Sequence, residues 1–281
     1  MRPVDAVPSR RTNRVTRPMR ALPSRGPAVL ALRADPDGLW WDAERQELLI
    51  ADDAHDRLLV WSDDGFGDPI RVAPGAGRLG QIVRTQRGTI LVAREGAGRA
   101  GGISFAQSEG EVGEIPGLDP TRRRLGLHVL GDGRVLTAYF TDEMDGGGIA
   151  CVSFQGGEEE LITGLGQPSG LVSIGDWLYV ADRLRGEIVC CSLSLGVQET
   201  FACVPEPEYL AVGARDSLYV SSRRGDGVVY RISKWGDVHP IATALLCTRG
   251  LAYDRMNRRL FVADHDRDGS STRLVHVLPD D

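Results

Sequence analysis

The chain reads as an all-β, six-bladed β-propeller with four-stranded blades, and three observations predict it. The first is a repeat. Six times a glycine or its stand-in opens a short apolar run, and a second run that often reads Val/Ile-Ala-Asp follows about ten to fourteen residues later. The second is the period: the openings at Gly38, Gly80, Gly126, Gly170, Tyr209 and Gly250 lie 42, 46, 44, 39 and 41 residues apart, the length of a four-stranded propeller blade. The third is the density of turn-makers between short strands, as in Asp63-Asp64-Gly65, Gly131-Asp132-Gly133 and Arg224-Gly225-Asp226-Gly227, which an all-β repeat requires.

Each copy supplies its elements in the same order. The glycine-led run is the inner strand, and the second strand carries Leu49-Ile50-Ala51-Asp52, Leu91-Val92-Ala93-Arg94, Leu136-Thr137-Ala138-Tyr139, Tyr179-Val180-Ala181-Asp182, Tyr219-Val220-Ser221-Ser222 or Phe261-Val262-Ala263-Asp264. Third strands are expected at 57–61, 102–105, 149–154, 187–193, 228–232 and 273–278, and fourth strands at 69–73, 111–115, 160–163, 199–204 and 240–246. The sixth copy has no sequence left for a fourth strand. The apolar segment at about 27–33 belongs to no complete blade, so it is the expected donor that closes the ring and removes the exposed strand edges.

A chain of 281 residues with the repeat across nearly all of it is expected to be one propeller domain, 27–281, behind an Arg/Pro-rich disordered leader, 1–26, that holds seven arginines and four prolines. The balance of 33 basic and 39 acidic residues, net charge -6, offers no broad cationic face and argues against nucleic acid as a partner. Cys151, Cys190, Cys191, Cys203 and Cys247 form neither a disulfide framework nor a metal knuckle. No stretch is long and apolar enough for a signal peptide or a membrane span, so the expected location is cytoplasmic, with no membrane partner. Phosphate-loop and dinucleotide fingerprints are absent, so no nucleotide cofactor is expected.

In a propeller the residues that precede the inner strands converge at one mouth of the central channel. Those residues are Asp37, Leu79, Leu125, Ser169, Glu208 and Arg249. An ion-paired collar with Arg249 between the two carboxylates is one expectation for this ring. His128, two positions after the glycine of the third inner strand, is a candidate acid or base bordering the channel. A second constellation, Asp264-His265-Asp266-Arg267-Asp268-Gly269, matches the first half of a calcium loop in Asp264, Asp266 and Asp268, while Val275 stands where a bidentate Glu would be needed. Trp40, Trp41, Trp61 and Trp177 are expected to pack between blades.

Blades 1, 4 and 6 resemble NHL-type repeats, and Pro36-Asp37-Gly38-Leu39-Trp40-Trp41-Asp42 with Leu49-Ile50-Ala51-Asp52 also resembles the first blade of the SMP-30/gluconolactonase group. That resemblance implies a divalent cation, calcium or similar, at the channel mouth. It places Asp37 where the family has a ligand Glu, Glu208 where it has an Asp that is both ligand and base, and Ser169 and Arg124 or Leu125 where it has Asn. It further implies a small-molecule enzyme that hydrolyses a lactone or ester, with His128 and Arg249 as substrate contacts. The NHL likeness implies instead a non-enzymatic module that binds or scaffolds a protein partner. Strictosidine-synthase-like condensation in the channel is a third expectation of the same fold.

Overall fold

The repeated glycine answers a contact between blades. In the computed structural model, which describes residues 28–32, 34–75, 77–96, 101–107, 110–223, 227–265 and 273–280, six inner strands stand side by side around the channel. They are Pro36–Asp42, Leu79–Arg84, Arg123–Val129, Pro168–Ile174, Pro207–Val212 and Thr248–Asp254. A Cβ added to Gly38 would overlap the carbonyl oxygen of Gly80 in the next blade, and one added to Gly250 would overlap that of Asp37. Only glycine lets two backbones approach so closely without displacing the strand.

From each inner strand the sheet runs outward through antiparallel partners, so every blade is a twisted four-stranded sheet with its edge at the rim. In all six blades the ladder between inner and second strand slips immediately before or at the opening residue, a bulge that breaks the regular alternation at the start of the strand. Register also corrects the alignment of blade 2. Pro36 pairs with Asp52 and Leu39 with Ile50 in blade 1, whereas Leu79 pairs with Arg94 and Ile82 with Val92 in blade 2. Gly80 therefore occupies the place of Asp37, and Gln81 the place of the glycine; Leu79 is not a mouth position. Aligning on the glycine alone misses this, because Gly80 meets the same need for close approach from the neighbouring site, its added Cβ overlapping the Leu125 carbonyl.

The apolar faces of adjacent blades interdigitate. Between blades 6 and 1, Leu39, Trp41, Leu48 and Ile50 pack against Ala252, Phe261, Ala263 and Val275, with Trp41 stacked on Phe261 at 5.4 Å. The Arg259 guanidinium lies over Trp41, Trp61 and Phe261 at 5.3, 5.6 and 5.3 Å while ion-paired to Asp254 and Asp63, tying the two blades together. On the same seam, Ala28–Ala31 pairs antiparallel with Arg273–Pro279, with Leu30 opposite Val275, so the sixth sheet holds three C-terminal strands and one N-terminal strand. The outer strand of blade 1 is shorter than expected: Gly65–Phe66 and Ile70–Arg71 each pair briefly with Arg57–Ser62, separated by Pro69, which has no N–H to donate. The expected leader lies outside the described residues. No helix among the described residues is long and apolar enough to cross a membrane.

Gly38→Ala is expected to lower the urea midpoint, with an unchanged denaturant slope, by about 2–3 kcal/mol of stability, since the blade 1 and blade 2 strands must part to admit the methyl group. An equilibrium urea titration checks it.

Candidate functional site at the channel mouth

Three features of the strands decide what reaches the mouth. The bulge projects the residue before the opening position, which places Asp37, Leu125, Ser169, Glu208 and Arg249 in one ring with Gly80. A second ring comes from the residue that directly follows the second-strand run in blades 1 to 5: Asp53, Glu95, Phe140, Arg183 and Arg223. The amides of Asp53, Glu95, Arg183 and Arg223 donate to the carbonyls of Asp35, Arg78, Gln167 and Glu206, which fixes these four at equivalent places in their blades. The loop entering the second inner strand adds Arg78, and the first residue of the third inner strand adds Arg123.

Arg78 is the keystone. From blade 2 its guanidinium bonds Glu95 at 2.6 Å in its own blade, Asp37 at 2.9 Å in blade 1 and Glu208 at 3.1 Å in blade 5, across the ring. Burial alone would lower its pKa, but the carboxylates of Asp37, Glu208 and Glu95 raise it well above the usual arginine value. Glu208, fully buried, also meets Arg183 at 3.2 Å, Arg249 at 3.1 Å and Arg223 at 3.6 Å. Asp37 accepts the Tyr209 hydroxyl at 2.6 Å; burial, then the nearby Asp37, pushes that phenol well above its ordinary range. Glu95 is paired with Arg123 as well, whose guanidinium lies over the Phe140 ring at 5.0 Å. Below this layer the buried Gln81 side chain donates to the Leu171 carbonyl at 3.1 Å and accepts from the amides of Leu127 and Leu171, both at 3.1 Å. Arg78 and Gln81 thus close the channel axis, and a ligand must bind above them.

Asp53 stands apart chemically. Its side chain accepts the Leu79 amide at 2.7 Å, and burial together with the charge of Asp37 pushes its pKa to about 8. Unlike the fully buried Glu208 it is only half-buried, so it carries a proton at neutral pH within reach of solvent.

The expected site residues divide under this geometry. Asp37, Glu208 and Arg249 come together in the network. The Ser169 hydroxyl is turned onto backbone, donating to the Glu208 carbonyl at 2.8 Å, and Arg124 is buried away from the ring, its guanidinium held by Glu158 at 2.8 Å and by the Gly101 carbonyl at 2.8 Å. His128 lies three residues further along its strand than the mouth level of Leu125, about 10 Å at the rise of a β-strand. Its Nε2 meets Ser173 Oγ at 2.7 Å, and burial pushes its pKa down to about 4. Asp264 accepts the amides of Leu246 and Cys247 at 3.1 and 2.8 Å and pairs with His276 at 3.0 Å. These bonds hold its pKa below the carboxylate range against burial, and they give Asp264 a structural task. Asp266 and Asp268 lie outside the described residues. Arg78, Asp53, Glu95, Arg183 and Arg223 are not foreseen from sequence, although the position two after the small residue of the second strand, Ala51, Ala93, Ala181 or Ser221, marks the last four of them.

The residues present do not fit the divalent cation that the SMP-30/gluconolactonase likeness implies. A hard cation needs several oxygens with net negative charge, whereas both candidate carboxylates are engaged by guanidiniums and Ser169 faces backbone. A dication brought within about 5 Å of one arginine would meet a repulsion of about 7 kcal/mol at an effective dielectric near 20. No group of three or more His, Cys, Asp or Glu able to hold a metal ion occurs among the described residues.

No protein-family profile and no curated protein matches the chain. Solved structures do. A gluconolactonase from Xanthomonas campestris aligns at a TM-score of 0.70 and 20% identity, covering 89% of this chain and 89% of that one. Regucalcin from Agrobacterium tumefaciens, described as a calcium-binding protein, aligns at 0.68 and 15%, covering 87% and 90%. Virginiamycin B lyase from Staphylococcus aureus aligns at 0.63 and 14%, covering 90% and 98%. At these identities the likeness is one of fold: the chain is a six-bladed propeller built like those of the gluconolactonase and regucalcin group.

Two opposed pH dependences are expected from the site. Asp53 has a folded-state pKa of about 8 above its unfolded value of 3.8, so stability is lost progressively as pH rises from 3.8 to about 8. His128 has a folded value near 4 against 6.5 unfolded, so stability is lost as pH falls from 6.5 through 4. Melting curves from pH 4 to 9 should show Asp53→Asn removing part of the loss on raising the pH from 4 to 8, and His128→Gln part of the loss on lowering it from 6.5 to 4.

Proposed function

We propose that this propeller acts on a small molecule bound over its channel mouth, as a hydrolase of the gluconolactonase-like kind that opens a lactone or ester without a resident divalent cation. One arrangement carries the reading: a half-buried carboxyl, Asp53, which accepts the Leu79 amide at 2.7 Å and whose pKa burial and the charge of Asp37 push up to about 8, near the solvent-reaching Arg78. A proton carrier works best when its pKa lies close to the operating pH. Arg78 and Arg183 keep 22% and 13% of their side chains exposed, and guanidinium donors fixed by carboxylates stabilise the oxyanion that forms when water adds to an acyl carbon. Arg249 and Glu208 orient those donors in this scheme; His128, neutral and further along its strand, lies outside it. The three structures cited above share the fold and, by their names, include enzymes that act on small molecules. A cytoplasmic location belongs to the same proposal, in keeping with five cysteines of which none is bonded to another.

A second reading, a protein-binding module, is favoured by a different observation. Leu195, Trp235 and Met256 are 74%, 78% and 76% exposed in loops at the end of the blades away from the mouth. Covering such side chains is what a partner protein would do.

Hydrolysis of glucono-δ-lactone, followed with a pH indicator, separates these readings. Turnover is expected to be the same in EDTA and in calcium, and Asp53→Asn should lower kcat by about 10²–10⁴. Loss of turnover in EDTA would overturn the metal-free reading. Absence of turnover on a panel of lactones and aryl esters would leave the binding module.

A further inference from the structure

We infer that the rim of the mouth where Arg183 and Arg223 flank Glu208 is a subsite for a dianionic oxyanion, the phosphate or dicarboxylate portion of a small ligand. The inference deepens the reading of the mouth as a small-molecule site, and it is independent of lactone chemistry.

The argument starts from charge. Among the described residues the mouth network holds five guanidiniums, Arg78, Arg123, Arg183, Arg223 and Arg249, against three carboxylates, Asp37, Glu95 and Glu208. Asp53 adds no charge at neutral pH. Four of these arginines converge on Glu208, and Arg78 among them is shared with the other two carboxylates, Asp37 and Glu95. Glu208 can organise the cluster without neutralising it.

Geometry then selects the rim. Arg183 and Arg223 follow the second strands of adjacent blades, at equivalent repeat positions, and approach opposite oxygens of Glu208: Arg183 Nη1 lies 3.2 Å from Oε1 and Arg223 Nε 3.6 Å from Oε2. Arg183 is aimed by a second bond, Nε to Gln167 Oε1 at 3.1 Å, and the two side chains are 13% and 32% exposed. Burial lowers the Arg183 pKa, and Arg223 and Arg78 lower it further against the pull of Glu208. An oxyanion seated between the two planar forks would relieve that repulsion and accept from both. It must belong to a small molecule or the end of one, because Arg78 and Gln81 close the axis below, and a protein of net charge -6 has no wider cationic field to hold a polyanion.

The test is thermal melting and titration calorimetry of the full chain with sodium phosphate, sodium succinate or calcium chloride, each against sodium chloride of equal ionic strength. Phosphate or succinate at ten times its dissociation constant should raise Tm by about 3 °C, less at high salt. A response to phosphate alone assigns a phosphorylated ligand, to succinate alone a dicarboxylate, and to both a general oxyanion site. Arg223→Gln should weaken binding about tenfold, and Arg183→Gln with Arg223→Gln should abolish it, glutamine keeping a donor toward Glu208. Arg185→Gln, which removes outer contacts with Asp145, the Gly164 carbonyl and Asp182 and none with Glu208, should bind as wild type. The subsite is overturned if neither anion exceeds the chloride control, if Arg223→Gln binds as tightly as wild type, or if calcium stabilises where the anions do not. Lactone turnover without anion binding would sink the subsite and spare the proposed hydrolase; anion binding without turnover would do the reverse.

Discussion

Close contact between neighbouring inner strands is the constraint on which the rest of this molecule depends. Six strands can ring a narrow channel only if each presents almost no side chain to the next, and the glycines at 38, 126, 170 and 250 meet that requirement, each with an added Cβ that would collide with the next blade. The consequence is chemical as well as steric. Strands packed this tightly bring their first residues and the loops behind them within bonding distance across the whole ring, so that Arg78 reaches Glu208 over a sequence separation of 130. Where the pattern lapses, at Tyr209, the larger side chain is accommodated by sending its hydroxyl to Asp37 in blade 1.

Once the strand ends converge, electrostatics decides what they become. Carboxylates as buried as Asp37 and Glu208 are stable only if they are paired and hydrogen-bonded. A dication could fill that need, and so can guanidiniums. This chain supplies guanidiniums from blades 2, 4, 5 and 6, and Arg78 spans from Asp37 to Glu208. The same choice leaves an excess of positive charge at the surface of the mouth and a protonated carboxyl, Asp53, beside it. The second ring contributes Arg183 and Arg223 to that balance, both of them on Glu208.

Much of this was legible in the residues. The spacing of Gly38, Gly126, Gly170 and Gly250 identifies the blades, and the residue before each opening position locates Asp37, Glu208 and Arg249 at one mouth. Blade 2 was misread by one residue, since a glycine pattern cannot tell Gly80 from the position beside it; only pairing with Val92 and Arg94 does. Ser169 was placed in the right ring with the wrong orientation, because sequence gives a side chain's level and not the direction its hydroxyl takes. Arg78, Arg183 and Arg223 went unread since they stand outside the inner strands, on loops whose reach depends on the curvature of the ring. His128 was read as channel-bordering, and its depth, hence its low pKa, follows from how far along the strand the bulge starts the count.

The sequence by itself determined the number of blades, their strand order and which residues open each inner strand, because these follow from local periodicity and from the intolerance of close-packed backbones for a Cβ. Tertiary structure alone decided the partners at the mouth. Residues from opposite blades are distant in the chain, and whether Glu208 meets a cation, a proton or four arginines is set by which loops the closed ring delivers to the same few ångströms.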